Sequence, residues 1–226
     1  MYSVYTEGTM SEVTIRRREN TRQRLLDAAF AVFVRHGFAG ATIEMITDEA
    51  GFTRGAFYSN FTSKDELFIE LLSGEFQKRL DTALATLSEL DLFQEDALDP
   101  RSVGEIVGST LADRDAERDW QILQTEFDLY TLRNPHVTEA ANLIRNYTER
   151  TVEALMPQLD RLGVRIIEDP APLIRTIMSA YMSITRSTFL NPELEHDEAV
   201  AQQQQFAAQQ MAWFTTVLDG MVEPAE

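Results

Sequence analysis

The sequence predicts an all-α fold. Three observations carry this: apolar residues recur at three- and four-residue steps over most of the 226 residues, no segment shows convincing β alternation, and the breaks between periodic stretches hold Gly, Pro or capping side chains. About nine helices follow from that pattern. There is no internal repeat.

Residues 1–13 mix Ser, Thr, Tyr and Glu without apolar periodicity and read as a mobile tail, or as a leader translated from an upstream start. The first helix spans Arg16 to His36, with Leu25, Ala28, Ala29, Val32 and Phe33 as its apolar stripe, widened by Leu26 and Phe30. Arg16, Arg17, Arg18, Arg22 and Arg24 crowd its first turns, and Gly37 ends it. Residues Thr42 to Lys64, TIEMITDEAGFTRGAFYSNFTSK, then pack two helices and a Gly turn into the length of a helix-turn-helix. Thr42 is the N-cap of the first, whose apolar side is Ile43, Ile46 and Ala50; Gly51 turns the chain and Thr53 caps the second. That second helix, Arg54 to Asn60, is predicted to expose Arg54, Gly55, Ser59 and Asn60 while Phe57 and Phe61 point to the core.

Ser63 and Glu66 form an S-x-x-E capping box for a long fourth helix carrying Leu67, Leu71, Leu72, Phe76, Leu80, Ala83, Leu84 and Leu87. An acidic loop from Glu89 to Arg101 separates it from a short helix, Ser102 to Ala112. A helix from Asp115 to Arg133 follows, with Trp120, Leu123, Phe127, Tyr130 and Leu132 as its apolar residues and Asn134-Pro135 as its stop. Another runs from His136 to Leu162, kinked or divided by Pro157. Asp169 and Pro170 are N-cap and first residue of a helix reaching Leu190, and the last helix covers Asp197 to Met221.

Apolar residues make up 44% of the chain and charged residues 25%, which is ordinary for a soluble globular protein. No run of apolar residues is long enough to span a membrane and no signal-peptide pattern opens the chain, so a cytoplasmic location is expected. The absence of cysteine excludes disulfides, thiolate zinc sites and thiol sensing. A net charge of −17 argues against nucleic acid until its distribution is read. Residues 14–64 hold eight Lys or Arg against five Asp or Glu, whereas residues 65–226 hold twelve against thirty. A basic head on an acidic body orients its own approach to DNA.

The set Gly37-Phe38, Thr42, Ile46, Ala50-Gly51, Gly55, Phe57-Tyr58, Phe61 and Lys64-Asp65-Glu66-Leu67 resembles the TetR family of bacterial transcriptional regulators. The likeness is densest from Thr21 to Leu72, and LQTEFDLYTLRNP, Leu123 to Pro135, is similar to a stretch common in the bodies of family members. Thr47 stands where the family usually has Ala, and Asn60 where Tyr or His is frequent. The resemblance implies a three-helix DNA-binding domain (14–62), a six-helix ligand-binding and dimerisation domain (63–226), a homodimer, a double-stranded DNA operator and a small-molecule effector, with no cofactor.

Within the DNA site, Arg54 can read guanine O6 and N7 together, or hold a phosphate. Gly55 admits close approach to the groove, or serves packing against the preceding helix. Thr53 can cap and touch phosphate; Tyr58 and Lys64 resemble family positions that grip the DNA backbone, and Thr42 one that meets a phosphate at a helix N-terminus. Ser59 and Asn60 offer polar contacts to base or phosphate. The Arg16–Arg18 run is an arm along the phosphates or into the minor groove, or a solvated helix start.

The body offers Trp120, Phe127, Tyr130 and Tyr147 as an aromatic ligand cavity with Glu126, Asn146 or Arg150 orienting the effector, or as plain core, with Glu126 at the surface facing Arg133 or Arg150. Tyr181, Ile184, Phe206, Trp213, Phe214 and Val217 make an apolar stripe on the last two helices that is hard for one subunit to cover completely; it suits a four-helix dimer interface, or packs inside its own subunit. His36, His136 and His196 lie in unrelated places and no catalytic motif is present, so the chain does not read as an enzyme. The competing readings are a ligand-independent DNA-organising protein and a helical protein-interaction adapter.

Overall fold

A computed structural model describes residues 7–89, 114–135, 138–161, 164–166, 169, 171–190, 201, 205 and 222–224. The chain divides into two compact units, Met1–Gly74 with Leu123–His136, and Glu75–Ile122 with Val137–Glu226.

In the first unit, α1 runs Glu7–Gly40, starting well ahead of Arg16, and is broken at Gly37 (φ 69°, ψ 162°). The chain closes one more turn there, with Ala41 N–H donating to the Gly37 carbonyl at 3.1 Å. Leu25, Ala28, Ala29, Val32 and Phe33 are buried, as their spacing predicts. Thr42 caps α2 (Ile43–Ala50), its hydroxyl accepting the Met45 N–H at 3.2 Å. Gly51 is left-handed (φ 68°, ψ 35°); its N–H reaches Asp48 O at 3.1 Å and that of Phe52 reaches Thr47 O at 2.8 Å. This bond pair satisfies the last carbonyls of α2, and a side chain at that φ would cost about 1–2 kcal/mol. Thr47 is buried, and its hydroxyl donates to Glu44 O at 3.0 Å, so a polar group where alanine would fit is satisfied.

Thr53 caps α3 through the Ala56 N–H at 3.3 Å, but α3 is only Arg54–Tyr58, closing in a turn rather than running to Asn60. Phe57 and Phe61 are buried. Before α4 (Lys64–Glu89), half of the expected capping box forms: Ser63 Oγ accepts the Glu66 N–H at 3.0 Å. The Glu66 carboxylate instead takes the Thr62 N–H at 2.6 Å and the Thr62 hydroxyl, two donors that hold the carboxyl below its usual range.

The core of this unit is an aromatic cluster. Phe68 on α4 has ring centroids of Phe33, Phe38 and Tyr130 at 5.1, 4.6 and 5.7 Å, and Phe127 at 6.4 Å. These rings are why Leu123–His136 packs with the N-terminal helices and why the unit extends past residue 62, through Gly74.

The second unit takes Glu75–Glu89 of α4, Arg114–Ile122 of α5 (Arg114–Arg133), α6 (Thr138–Arg161) and α7 (Ala171–Phe189). Phe76 meets Trp120 edge-on at 5.1 Å and Tyr147 at 4.6 Å. Arg79 lies over the Trp120 ring at 4.5 Å and pairs with the buried Glu117 at 2.6 Å, while Gln121 donates to the other Glu117 oxygen at 3.0 Å. Helix α6 runs through Pro157 undivided, and Asp169 accepts the Ala171 N–H at 3.0 Å to start α7. Leu132 departs from the predicted apolar set at 78% exposed, because the buried series 120, 123, 127, 130 leaves it on the other side of α5.

One addition to the all-α expectation appears: β1 (Val164–Ile166) pairs antiparallel with β2 (Val222–Pro224), Arg165 opposite Glu223. Three residues are too few for alternation to register in sequence. The expected helix Ser102–Ala112 lies outside the described residues, as does Asp197–Met221 apart from helical Ala201 and Gln205.

Candidate nucleic-acid interface

The helix-turn-helix is held from behind by the arginines of α1. Arg24 donates to Ala50 O at 2.8 Å, at the carbonyl end of α2, and lies over Phe52 at 4.6 Å. Arg22 donates to Asn60 O at 2.7 Å, clasps both Glu70 oxygens, with Nε–Oε1 at 2.6 Å, and covers Phe61 at 4.4 Å. Arg18 reaches Ser59 O at 3.3 Å. Cations at the carbonyl ends of two helices complement the helix dipoles. The sequence placed these residues at a basic helix start, with Arg18 also in a candidate DNA arm; the available signal was that Arg18 and Arg22 lie one turn apart, flanking the stripe that begins at Leu25.

On the outer side, Thr42, Thr53, Arg54, Gly55, Tyr58 and Ser59 are all exposed. Arg54 Nη1 pairs with Glu44 Oε1 at 2.6 Å, and its guanidinium lies 5.9 Å from the Tyr58 ring centroid. A hydrogen bond with the Tyr58 hydroxyl, then the Glu44 charge, raises the Arg54 pKa. Glu44 is held below its usual range by its own backbone N–H first, and by Arg54 and the Thr42 hydroxyl after that. Ser59 donates to Gly55 O at 2.8 Å, leaving its oxygen free to accept.

Two of the sequence-assigned residues sit differently. Asn60, expected to be exposed, is half-buried: it follows α3 in a turn, its amide donates to Ala56 O at 2.8 Å and its side-chain oxygen is buried. Lys64 turns inward, its ammonium donating to Phe38 O and Ala41 O at 2.7 Å each and lying 4.4 Å from the Phe38 ring. Burial lowers its pKa, with Asp65 opposing. Two of its three N–H bonds thus brace the turn leading into α2, and one is left for a phosphate.

Gly55 has open space in front of it: an added Cβ would meet nothing closer than Thr53 Oγ1 at 3.6 Å, an ordinary contact. Packing against α2 therefore does not require glycine. Gly55→Ala is expected to leave thermal stability unchanged or raise it by up to about 1 kcal/mol. Operator affinity in a gel shift should fall as the methyl group pushes α3 out of the groove; undiminished affinity would remove Gly55 from the contact surface.

The five ligand candidates divide between two clusters. Phe127 and Tyr130 belong to the Phe68 cluster of the first unit, where Glu126 also lies, accepting the Phe38 N–H at 2.9 Å. Trp120 and Tyr147 flank Phe76 in the second. Glu126 thus bonds the Phe38 N–H rather than the Arg133 or Arg150 that its sequence neighbours suggested; Arg150 instead donates to Gln77 at 2.8 Å. Of the dimer candidates, Tyr181 and Ile184 fall on α7, with side chains outside the description, and Phe206, Trp213, Phe214 and Val217 lie outside the described residues.

Residues 25–71 match the family model of bacterial regulatory proteins, tetR family. The chain carries a TetR-family DNA-binding domain. Its segment is 44% identical over 64 residues to the HTH-type transcriptional regulator SrpR of Pseudomonas putida, which covers 28% of this chain and 30% of that relative. The chain thus aligns with less than a third of this relative's length. Structural likeness runs further. A TetR-family regulator from Mesorhizobium loti superimposes with a TM-score of 0.63 at 18% identity, covering 89% of this chain and 98% of that one. SmeT, the repressor of the Stenotrophomonas maltophilia multidrug efflux pump SmeDEF, does so with 0.54 at 21% identity over 89% of this chain and 90% of its own, and has also been solved with triclosan. At such identities these neighbours show the fold alone, over 89% of this chain in each case. The TetR-family domain ends within α4, and the matched stretch contains every residue of the exposed row described above.

Proposed function

We propose that this protein is a transcriptional repressor that binds a near-palindromic operator as a homodimer and releases it on binding a small molecule. The observation that carries the DNA reading is the row Thr42, Thr53, Arg54, Gly55 and Tyr58, exposed on a capped helix-turn-helix whose rear face is tied down by Arg22 and Arg24. Only the first turn and exposed side of the five-residue α3 can reach base edges; in this reading Arg54 reads a base, while Thr42, Thr53 and Tyr58 contact phosphates. Support for repression comes from SmeT, a repressor of the same fold, and support for an effector from its complex with triclosan.

Homodimerisation rests on the apolar stripe of the last two helices and on the small basic excess of the head, too weak to hold DNA as a single copy. The effector is assigned to the second unit, with Trp120 and Tyr147 around Phe76 as its aromatic side chains. Continuity of α4 from Lys64 to Glu89 gives it a route to the operator.

Arg54→Ala is expected to weaken specific binding by about 1–3 kcal/mol and to relax base preference at one position of each half-site. Gel shifts at fixed salt on a duplex selected from a random pool measure both. Unchanged affinity and footprint would take Arg54 out of the site.

A further inference from the structure

The Glu44–Arg54 pair joins the first helix of the motif to the second on the surface that faces DNA. Its N–O distance is 2.6 Å, and the two side chains are 51% and 59% exposed. An ion pair so accessible to water adds little to folding and exchanges readily for another acceptor. Yet it places a carboxylate at the N-terminal turn of α2, beside Thr42, where an approaching phosphate would favour a cation. The folded domain gains from the acid only the local support of a helix N-terminus, its own backbone N–H and the Thr42 hydroxyl, all of it at an exposed position.

We propose that Glu44 is a specificity-determining residue: it holds the Arg54 guanidinium until a guanine edge displaces it, and so penalises DNA that offers only phosphate. This rests on the assignment of Arg54 as the base-reading residue. The acceptors that compete for the guanidinium differ in what they leave behind. A phosphate replaces one anionic oxygen by another and leaves Glu44 unpaired against a polyanion, so the exchange is unfavourable. Guanine offers O6 and N7 together, two parallel bonds for the one lost. The released carboxylate can then accept from an exocyclic amino group, which cytosine N4 presents in the same groove. Tyr58 lies beside the guanidinium, its ring centroid 5.9 Å away.

The test compares the wild type, Glu44→Gln, Arg54→Ala and the double variant on a duplex selected from a random pool and on a shuffled duplex of equal length. Both positions are exposed, and equal thermal melting of the four proteins establishes that each is folded. Glu44→Gln is expected to raise affinity for the shuffled duplex about tenfold and for the selected one much less, and to steepen the salt dependence on shuffled DNA by about one phosphate contact. In the Arg54→Ala background the same change should leave the specific-to-shuffled ratio unaltered. A ratio that Glu44→Gln does not lower, or one that it lowers equally without Arg54, would overturn the proposal, the second outcome assigning Glu44 to plain repulsion. If Arg54→Ala itself leaves the selected duplex bound as tightly as before, the base-reading assignment fails and the proposal with it.

Discussion

Arg79→Ala is expected to destabilise the second unit by about 3–5 kcal/mol. Glu117 is only 1% exposed, and its charge is met by the Arg79 guanidinium at 2.6 Å and by the Gln121 amide at 3.0 Å. Removing the arginine leaves that carboxylate in the core without a counter-charge and strips the cation from the face of Trp120. The pair as a whole is worth much less than this, because both charges lose water on burial; the loss comes from breaking it on one side. Replacing Arg79 and Glu117 together with apolar residues of similar size should therefore cost far less than either single change. Urea unfolding followed by tryptophan emission measures the difference. A single variant no less stable than the double one would mean that water reaches Glu117 in the folded protein.

Phe68→Ala should cost the first unit a comparable amount, about 3–5 kcal/mol. Phe68 is fully buried and is the ring common to Phe33, Phe38, Phe127 and Tyr130. Its loss opens a cavity whose walls come from α1, α4 and α5, none of which can move in without giving up other contacts. Phe38 is also pinned through its backbone, its N–H by Glu126 and its carbonyl by Lys64, so the ring that stacks on Phe68 cannot follow. The expected readout is a lowered unfolding midpoint together with weaker DNA binding, since the same turn leads into α2. A midpoint within one or two degrees of wild type would show that the cluster closes around the gap.

What the sequence revealed, and what it hid, follows the range of the interactions. The Thr42 and Thr53 caps, the left-handed Gly51 and the inward Phe57 and Phe61 depend on neighbours within four or five residues, and each is present as read. Glu66 lies at the limit of that range: the local rule predicted a bond back to Ser63, and the next residue outward, Thr62, offered two donors. Beyond it, pattern was silent. Nothing in the string FDLY says that Phe127 and Tyr130 pack with α1 and α4, or that Glu126 accepts a backbone N–H at Phe38.

The candidate DNA site divides along the same line. Arg54, Gly55, Tyr58 and Ser59 face outward because the helix period puts them opposite Phe57 and Phe61. Lys64 has the composition of a phosphate contact but lies within reach of the Phe38 and Ala41 carbonyls, which take two of its three N–H bonds. Asn60 lost its outward position when α3 ended at Tyr58, a boundary too fine for sequence periodicity to place. Arg22 and Arg24, counted as part of a basic patch, prove to be the ties that hold the motif in shape.

The central claim is that this helix-turn-helix reads DNA sequence in two copies. Selection of bound duplexes from a random pool by the full-length protein, at one fixed salt concentration, tests it most directly. The expected result is an inverted repeat, its half-sites about 34 Å apart or a little more, with guanine enriched where Arg54 reaches the groove. A pool that shows no enriched sequence after repeated rounds, or one enriched for a single asymmetric site, would contradict it.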